Sequence, residues 1–352
     1  MLYNPNYEEI KRRMTAFWEH EALERCCVAF DAPRLDKPAV KKEKYYYEVE
    51  KADAINREYF ASRVGFGENL NCIFPYFGTA GIAEYTGCKV TYTPKTAWFD
   101  PWMTEEADVT LITYRHPEIF RKQADSIARQ LELSQGDYLV SVSDNAGMID
   151  ALASIRGSEE LLMDMLTDPE FVEESLQRLL PIYKQTEEEL FDLVKENNQG
   201  SILAWMNMWA PKRFAQMQCD LSVMISNDMF NRFVMPELEE LSSWLDYPLY
   251  HFDGMEQVRH LDSLLSIEKL RAIQWVCVAG QPSPVEFIPV LQKIQKAGKG
   301  LVIQSAQPHE AIQLLDNLSC RSLHLMISGV KNVEEGMELM KLIEKHSKDR
   351  KL

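Results

Sequence analysis

Short apolar runs rich in β-branched and aromatic residues return along this chain at intervals wide enough to hold a helix: "CCVAFDA", "LNCIFPYFG", "YLVSVSD", "SILAWMN", "PLYHFDG", "AIQWVCVAG", "GLVIQSA" and "SLHLMISG". A run that is apolar throughout is a strand buried on both faces. Strands separated by helical segments run parallel, because a parallel pair needs a crossover connection. Eight such runs predict an α/β chain folded as a single (β/α)8 barrel of the TIM type, in preference to an open doubly wound sheet. The barrel spans residues 1–352 as one domain, with residues 1–60 forming a helical extension and the first strand.

Helix ends are written into the intervening segments. "SPVEF" offers Ser283 as an N-cap, Pro284 at the first helical position and Glu286 to complete a capping box, and Gly298 in "KAGKG" stops that helix. "TDPEF" repeats the device with Thr167 or Asp168, Pro169 and Glu170. The N-terminal region is irregular: residues 36–60 and 78–105 hold polar loops containing Pro and Trp, which read as excursions over one barrel face. No period of roughly 20 to 50 residues repeats, so a solenoid is not supported.

With 54 acidic against 38 basic residues and a net charge of -16, the chain repels a phosphate backbone, which argues against a nucleic-acid partner. The opening "MLYNPNYEEIKRRMTAFWEHE" is charged and amphipathic, without the apolar core of a signal peptide. No run approaches the roughly 20 apolar residues of a membrane span. A cytoplasmic protein without membrane partners is the expectation. The 7 cysteines (26, 27, 72, 88, 219, 277 and 320) form no C-x-x-C pair, which suits reduced thiols.

Active sites of such barrels form where the strands end, so the polar residue closing each run is a candidate. These are Asp31, Tyr76, Asp144 with Asn145, Asn207 with Trp209, His251 with Asp253, Gln281, Gln304 with Ser305, and Ser328. Strand ends also carry polar residues simply to satisfy the departing backbone. His251 and Asp253 stand out: a spacing of two places both side chains on one face, and Gly254 permits a sharp turn after them. An imidazole and a carboxylate so placed can ligate a divalent metal, act as a proton-transfer pair, or merely close the sheet end as a hydrogen-bonded pair.

The stretches "GSEELLMDMLTDPEFVEESLQRL", "CDLSVMISNDMFNRFVMPELEEL", "YHFDG" and "AGQPSP", in that order, resemble the uroporphyrinogen decarboxylase superfamily over residues 135–345. "HLDSLLSIEKLRAIQWVCVAGQPSP" is similar to a bacterial branch related to corrinoid methyltransferases. The decarboxylases of that superfamily carry an arginine-rich motif near the N-terminus. Only Arg25 stands in the matching "HEALERCCVAFDAP", and an acidic cavity suits a polycarboxylate poorly, so porphyrinogen decarboxylation is not expected.

The methyltransferase branch holds zinc with a His-x-Cys motif at the fifth strand end and a cysteine near the last strand. His251 falls on the histidine and Asp253 on the first cysteine, whereas Ser328 and Gly329 stand where the second belongs and Cys320 lies at the strand start. The resemblance thus implies zinc or another divalent metal on His251 and Asp253, with Asp220, Asp144 or His324 as third ligand. It further implies catalytic roles for His251, Asp253 and Asp220, and substrate contacts from Asn207, Trp209, Gln274 and Gln281, to which the strand-end positions add Tyr76, Asp144 and Gln304. Alternation in "LAWMNMWAP" places Trp205, Asn207 and Trp209 on one face, an aromatic wall for a methylated ammonium or a flat aryl ether.

The function implied is methyl transfer between a small methylated compound and a corrinoid protein or thiol. The corrinoid would be carried by a partner docking near "TAWFDPW" (96–102), and the barrel itself would pair as a homodimer. The alternative is a small-molecule-binding barrel, or a decarboxylase-like lyase, that lacks the superfamily's zinc site.

Overall fold

The computed structural model describes residues 1–79, 81–93, 96–104, 108–277 and 280–351. Val278 and Ala279, which close the "AIQWVCVAG" run, lie outside the described residues. The strands in chain order are β1 (Cys27–Pro33), β2 (Arg63–Gly67), β3 (Cys72–Ile73), β4 (Lys89–Tyr92), β5 (Ala97–Asp100), β6 (Leu139–Val140), β7 (Ser201–Leu203), β8 (Met208–Ala210), β9 (Phe214–Met217), β10 (Tyr247–Phe252), β11 (Ala272–Trp275), β12 (Gly300–Ala306) and β13 (Leu323–Ile327).

A 7-stranded sheet in the order β2-β1-β13-β12-β11-β10-β9 forms the centre. It is parallel from β1 to β9, and only β2 runs antiparallel, against β1. From β10 onward strands and helices alternate as the sequence predicts, with helices Ile288–Lys296, Pro308–Asn317 and Val333–His346 following β11, β12 and β13. Gly298 does end its helix, at φ +74. Asp168, not Thr167, caps helix Pro169–Asn198, accepting from Phe171 N–H at 3.3 Å. Ser283 caps a 3-10 turn, Pro284–Phe287, in place of a capping-box α-helix.

The fourth predicted strand is corrected. "SILAWMN" enters β7, turns through a 3-10 segment at Ala204–Met206, and reverses at Asn207, whose φ of 48 is left-handed. It therefore forms an antiparallel hairpin with β8, and the strand that joins β10 is β9, which the apolar-run criterion missed. β9 and the residue after it carry Gln216 and Gln218, whose amides turn inward and break the apolar signature.

β3 and β6 form a separate parallel pair, and side chains bridge the intervals between the sheets. Ser141 Oγ donates to the Ile202 carbonyl at 3.0 Å and accepts from Ala204 N–H at 3.1 Å. Ser201 Oγ reaches the Phe214 carbonyl at 3.1 Å. Asn207 Oδ1 accepts from Leu70 N–H at 2.8 Å while its Nδ2 donates to Asn69 Oδ1 at 3.1 Å. Asn198 brackets Val140, accepting from its N–H at 3.2 Å and donating to its carbonyl at 2.6 Å.

Helix Tyr7–Trp18 covers the end at which the strands begin. Phe17 lies under Gly300, and Trp18 Nε1 donates to the Trp209 carbonyl at 2.8 Å. Beside it, Glu68 is held by Arg13 at 2.6 Å and Arg25 at 2.8 Å and accepts from Val28 N–H at 2.7 Å, which locks the loop before β3 to β1. The buried carboxylate is tolerated only because two guanidinium groups and a backbone amide replace its water. Among the described residues no helix is long and apolar enough to cross a membrane.

Candidate functional site

β10 and β11 run parallel with His251 opposite Gln274, so both side chains leave the same face. His251 Nδ1 lies 2.5 Å from Gln274 Oε1, and Gln274 Nε2 lies 2.6 Å from Gln304 Oε1. An amide oxygen only accepts, so the imidazole carries its proton on Nδ1 and presents a lone pair at Nε2. Gln304 reaches this chain of bonds next to a register shift in β12, where Ser305 takes a left-handed φ of 62.

Nε2 of His251 is 4.0 Å from Asp253 Oδ1, and the ring stands edge-to-face with Trp205 at 5.2 Å. Gly254, at φ +83, turns the chain directly after Asp253. A Cβ there would sit 2.2 Å from Gln281 Oε1, which instead accepts from Met255 N–H at 3.2 Å. Gln281 therefore fixes the turn that carries Asp253 rather than reaching the imidazole.

Four carboxyl groups gather around this end of the sheet. Burial pushes the Asp144 carboxyl up to about 7, against the pull of Gln216, whose Nε2 donates to Oδ1. Asp150, on helix Met148–Arg156, receives the N–H groups of Asp220 and Leu221 at 2.9 and 3.0 Å. Burial, then repulsion from Asp220, raises its carboxyl above the usual range. Asp220 is raised as well, by its surroundings first and by Asp253, with His251 opposing. Its side chain remains open to solvent. Behind them, burial lifts Glu187 to about 7 beside Asn145, and Glu237 to about 8 beside the Met148 N–H.

A cavity of about 560 Å³ adjoins this cluster. Asp144, Trp205, Asn207 and Tyr76 line it, together with Tyr46, Tyr59, Lys42 and Lys44. The volume falls in the range of small-molecule sites, and the lining of rings with a few polar groups is typical of them. Neither His251 nor Asp253 lines it directly. Trp205, which touches both the cavity and the imidazole ring, is the link.

The expected residues thus separate. Tyr76, Asp144 and Asn207 face the cavity, His251, Gln274 and Gln304 form one hydrogen-bonded chain, and Asp220 and Asp253 lie near enough to act on each other's charge. Trp209 does not belong with them. The left-handed turn at Asn207 breaks the strand alternation, and Trp209 packs with Tyr7, Ile10 and Met14 while donating to the Asn198 carbonyl at 2.9 Å. Ser328 accepts from Gln307 at 2.9 Å, and His324, register partner of Cys27, is buried edge-on against Phe17 near the strand starts.

Asp150, Gln216, Glu187, Glu237 and the two lysines escaped the sequence reading. Glu187 was findable: it shares a helical stripe with Tyr183, Leu190 and Val194, all buried, so a charged residue sits on an apolar face. Lys42 and Lys44 lie in a loop with no periodicity to place them.

The donors present do not make the zinc set implied by the resemblance. His251 Nε2 and Asp253 Oδ1 supply one nitrogen and one oxygen, and among the described residues no group of three or more His, Cys, Asp or Glu side chains is arranged to hold a metal. Among the described residues no cysteine completes a metal-holding group with them, and Cys320 lies on the strand-start side near the Leu23 carbonyl.

No protein-family model matches the chain, and no curated protein does. Among solved structures, a methyltransferase from Methanosarcina mazei superposes with a TM-score of 0.57 at 12% identity, over 96% of this chain and 98% of that chain. The two chains share a fold. At such low identity the likeness concerns architecture alone, an α/β arrangement around a mostly parallel sheet, and function rests on the site.

Proposed function

We propose that this chain is a (β/α)8 barrel of the uroporphyrinogen decarboxylase superfamily that takes a methyl group from a small methylated compound and passes it to a corrinoid protein or a thiol. In this reading β1, β3, β6, β9, β10, β11, β12 and β13 are the eight barrel strands. The side-chain bonds from Ser141, Ser201 and Asn207 support closure across the intervals.

The observation that carries the reading is that two complementary proton carriers lie on either side of Trp205, Asp144 lining the cavity with it and His251 against its ring. Asp144, which lines the cavity, keeps its proton up to about 7. His251, in contact with cavity-lining Trp205, keeps Nε2 as an acceptor. When a methyl group is displaced, the electron pair of the broken bond stays on the heteroatom that carried it. From an ether or thioether that atom would leave as an anion, and Asp144 donates its proton to it so that it leaves neutral; a quaternary ammonium leaves as a neutral amine without that proton. Nε2 of His251 takes the proton of a thiol acceptor, and Asp253 stabilises the resulting imidazolium. A corrinoid, when bound, supplies a cobalt nucleophile for the methyl carbon. Trp98, 64% exposed on β5, offers a docking partner an apolar contact.

Free cob(I)alamin as acceptor, offered with a panel of methylated ammonium, thioether and aryl ether compounds, tests the reading. Methylcobalamin formation proportional to enzyme, and reduced at least tenfold in Asp144→Asn, is the expected result; no methylation with any donor would sink it. A second reading, a small-molecule-binding barrel or decarboxylase-like lyase without the zinc site, is favoured by the lack of a three-donor group among the described residues. Tight ligand binding without methyl transfer would identify it.

A further inference from the structure

The lining of the cavity carries two lysines. Residues 34–48 cross from β1 to helix Val49–Ala61 without regular structure, and they bring Lys42 and Lys44 to the cavity. Lys42 Nζ lies 4.1 Å from the centroid of the Tyr59 ring, and Lys44 Nζ lies 3.7 Å from that of Tyr76. Among the described residues neither ammonium has a carboxylate in ion-pair contact. The acids that line the cavity with them have other partners: Asp31 is bound by Arg63 at 2.6 Å and by the Tyr59 hydroxyl at 3.1 Å, Glu43 pairs with Lys41 at 3.3 Å, and Asp144 is held by Gln216.

This arrangement decides between the ligands an aromatic wall can take. A methylated ammonium binds over open ring faces. Here the faces of Tyr59 and Tyr76 already hold the chain's own cations, which repel a second one at a few ångströms. Lys42 and Lys44 are thus lining charges without an ion-pair partner among the described residues, and the remaining wall of Phe60, Phe74, Tyr46 and Trp205 offers apolar ring surface. Tyr46 is fixed for this role, since its hydroxyl donates to the Thr93 carbonyl and to that of Thr96 at 3.2 Å, tying the crossing segment to the β4–β5 hairpin.

We infer that the cavity binds an aromatic carboxylate, its ring against the apolar wall and its anionic oxygens between Lys42 and Lys44. The inference rests on the methyl-transfer reading only in calling this ligand the substrate; the binding itself stands without it. Two ammonium groups suit a carboxylate as point charges, and the same cavity is lined by Asp144 and Trp205.

The probe is 4-methoxybenzoate, titrated calorimetrically into the full chain beside its neutral isostere 4-methoxybenzamide and tetramethylammonium. The expected result is binding of the acid, at least tenfold weaker binding of the amide, and none of the cation. Lys42→Gln and Lys44→Gln, both on a loop and outside the core, should each weaken the acid by on the order of tenfold, as for a lost charge-assisted contact. Absence of acid binding, tighter binding of tetramethylammonium, or an unchanged affinity in the Lys42→Gln/Lys44→Gln pair overturns the inference. Acid binding without methyl transfer to cob(I)alamin leaves it standing and removes the methyltransferase reading. Methyl transfer from tetramethylammonium without acid binding does the reverse.

Discussion

His251 and Gln274 are register partners on adjacent parallel strands, and the imidazole Nδ1 sits 2.5 Å from the amide oxygen. A bond this direct sets which nitrogen carries the proton. Replacing Gln274 by Leu removes the acceptor, so the ring loses its fixed tautomer and methyl transfer should fall on the order of tenfold to a hundredfold. Gln274→Glu restores an acceptor and should recover part of the rate. Imidazole ¹⁵N shifts read the tautomer directly, and an unchanged tautomer in Gln274→Leu would refute the argument.

Asp144 gives the reaction a pH dependence with a definite sign. Its carboxyl, raised to about 7 by burial, donates only while protonated, so the rate should fall as pH rises through about 7. Asp144→Asn keeps the shape without a transferable proton and should lose roughly a hundredfold or more. Rates measured from pH 5.5 to 8.5 check this. A profile that rises across neutrality assigns the proton elsewhere.

Stability should follow the buried acids. Glu187 and Asp144, at about 7, and Glu237, at about 8, hold protons in the fold that the unfolded chain releases near about 4. Between those values the folded state binds more protons, so stability declines as pH rises from about 4 to about 8. Thermal unfolding at pH 5.5 and 8.5 should show the lower midpoint at the higher pH. Glu187→Gln should reduce the difference, and equal midpoints in the parent protein would contradict the burial argument.

Gly254 holds φ +83 and ψ -157, a region open essentially to glycine, and a Cβ would meet Gln281 Oε1 at 2.2 Å. Gly254→Ala should cost about 1–3 kcal/mol. Because the strain falls on the turn after Asp253, the rate should drop by more than the stability loss alone explains. Denaturant unfolding beside initial rates separates the two effects.

The donor set predicts how the protein responds to chelators. With His251 and Asp253 as a pair lacking a third ligand, gently purified protein should hold no stoichiometric zinc, and methyl transfer should survive dialysis against EDTA. Elemental analysis of the parent beside His251→Ala is the check. Near-stoichiometric metal, lost in the variant, would restore zinc to the mechanism.

Much of this was written locally. The apolar runs that became β10 to β13, the glycine after Asp253, and Glu187 on an apolar helical stripe are set by patterns of two and 3.6 residues, which any window of the chain reveals. Other features depended on partners far away in the chain. β9 escaped because Gln216 faces inward to Asp144, 72 residues away, and so looks polar in isolation. Trp209 turned from the cavity because Asn207 took a left-handed φ while its side chain joined Asn69 and Leu70. The bond from His251 to Gln274 exists only through strand register, and Lys42 and Lys44 reach the cavity only through the path of a loop with no period. Sequence alone determined which segments could become strands and helices, since propensity and periodicity act over a few residues. Only the tertiary structure decided which polar groups meet, because desolvation and hydrogen bonding act between groups that folding brings together.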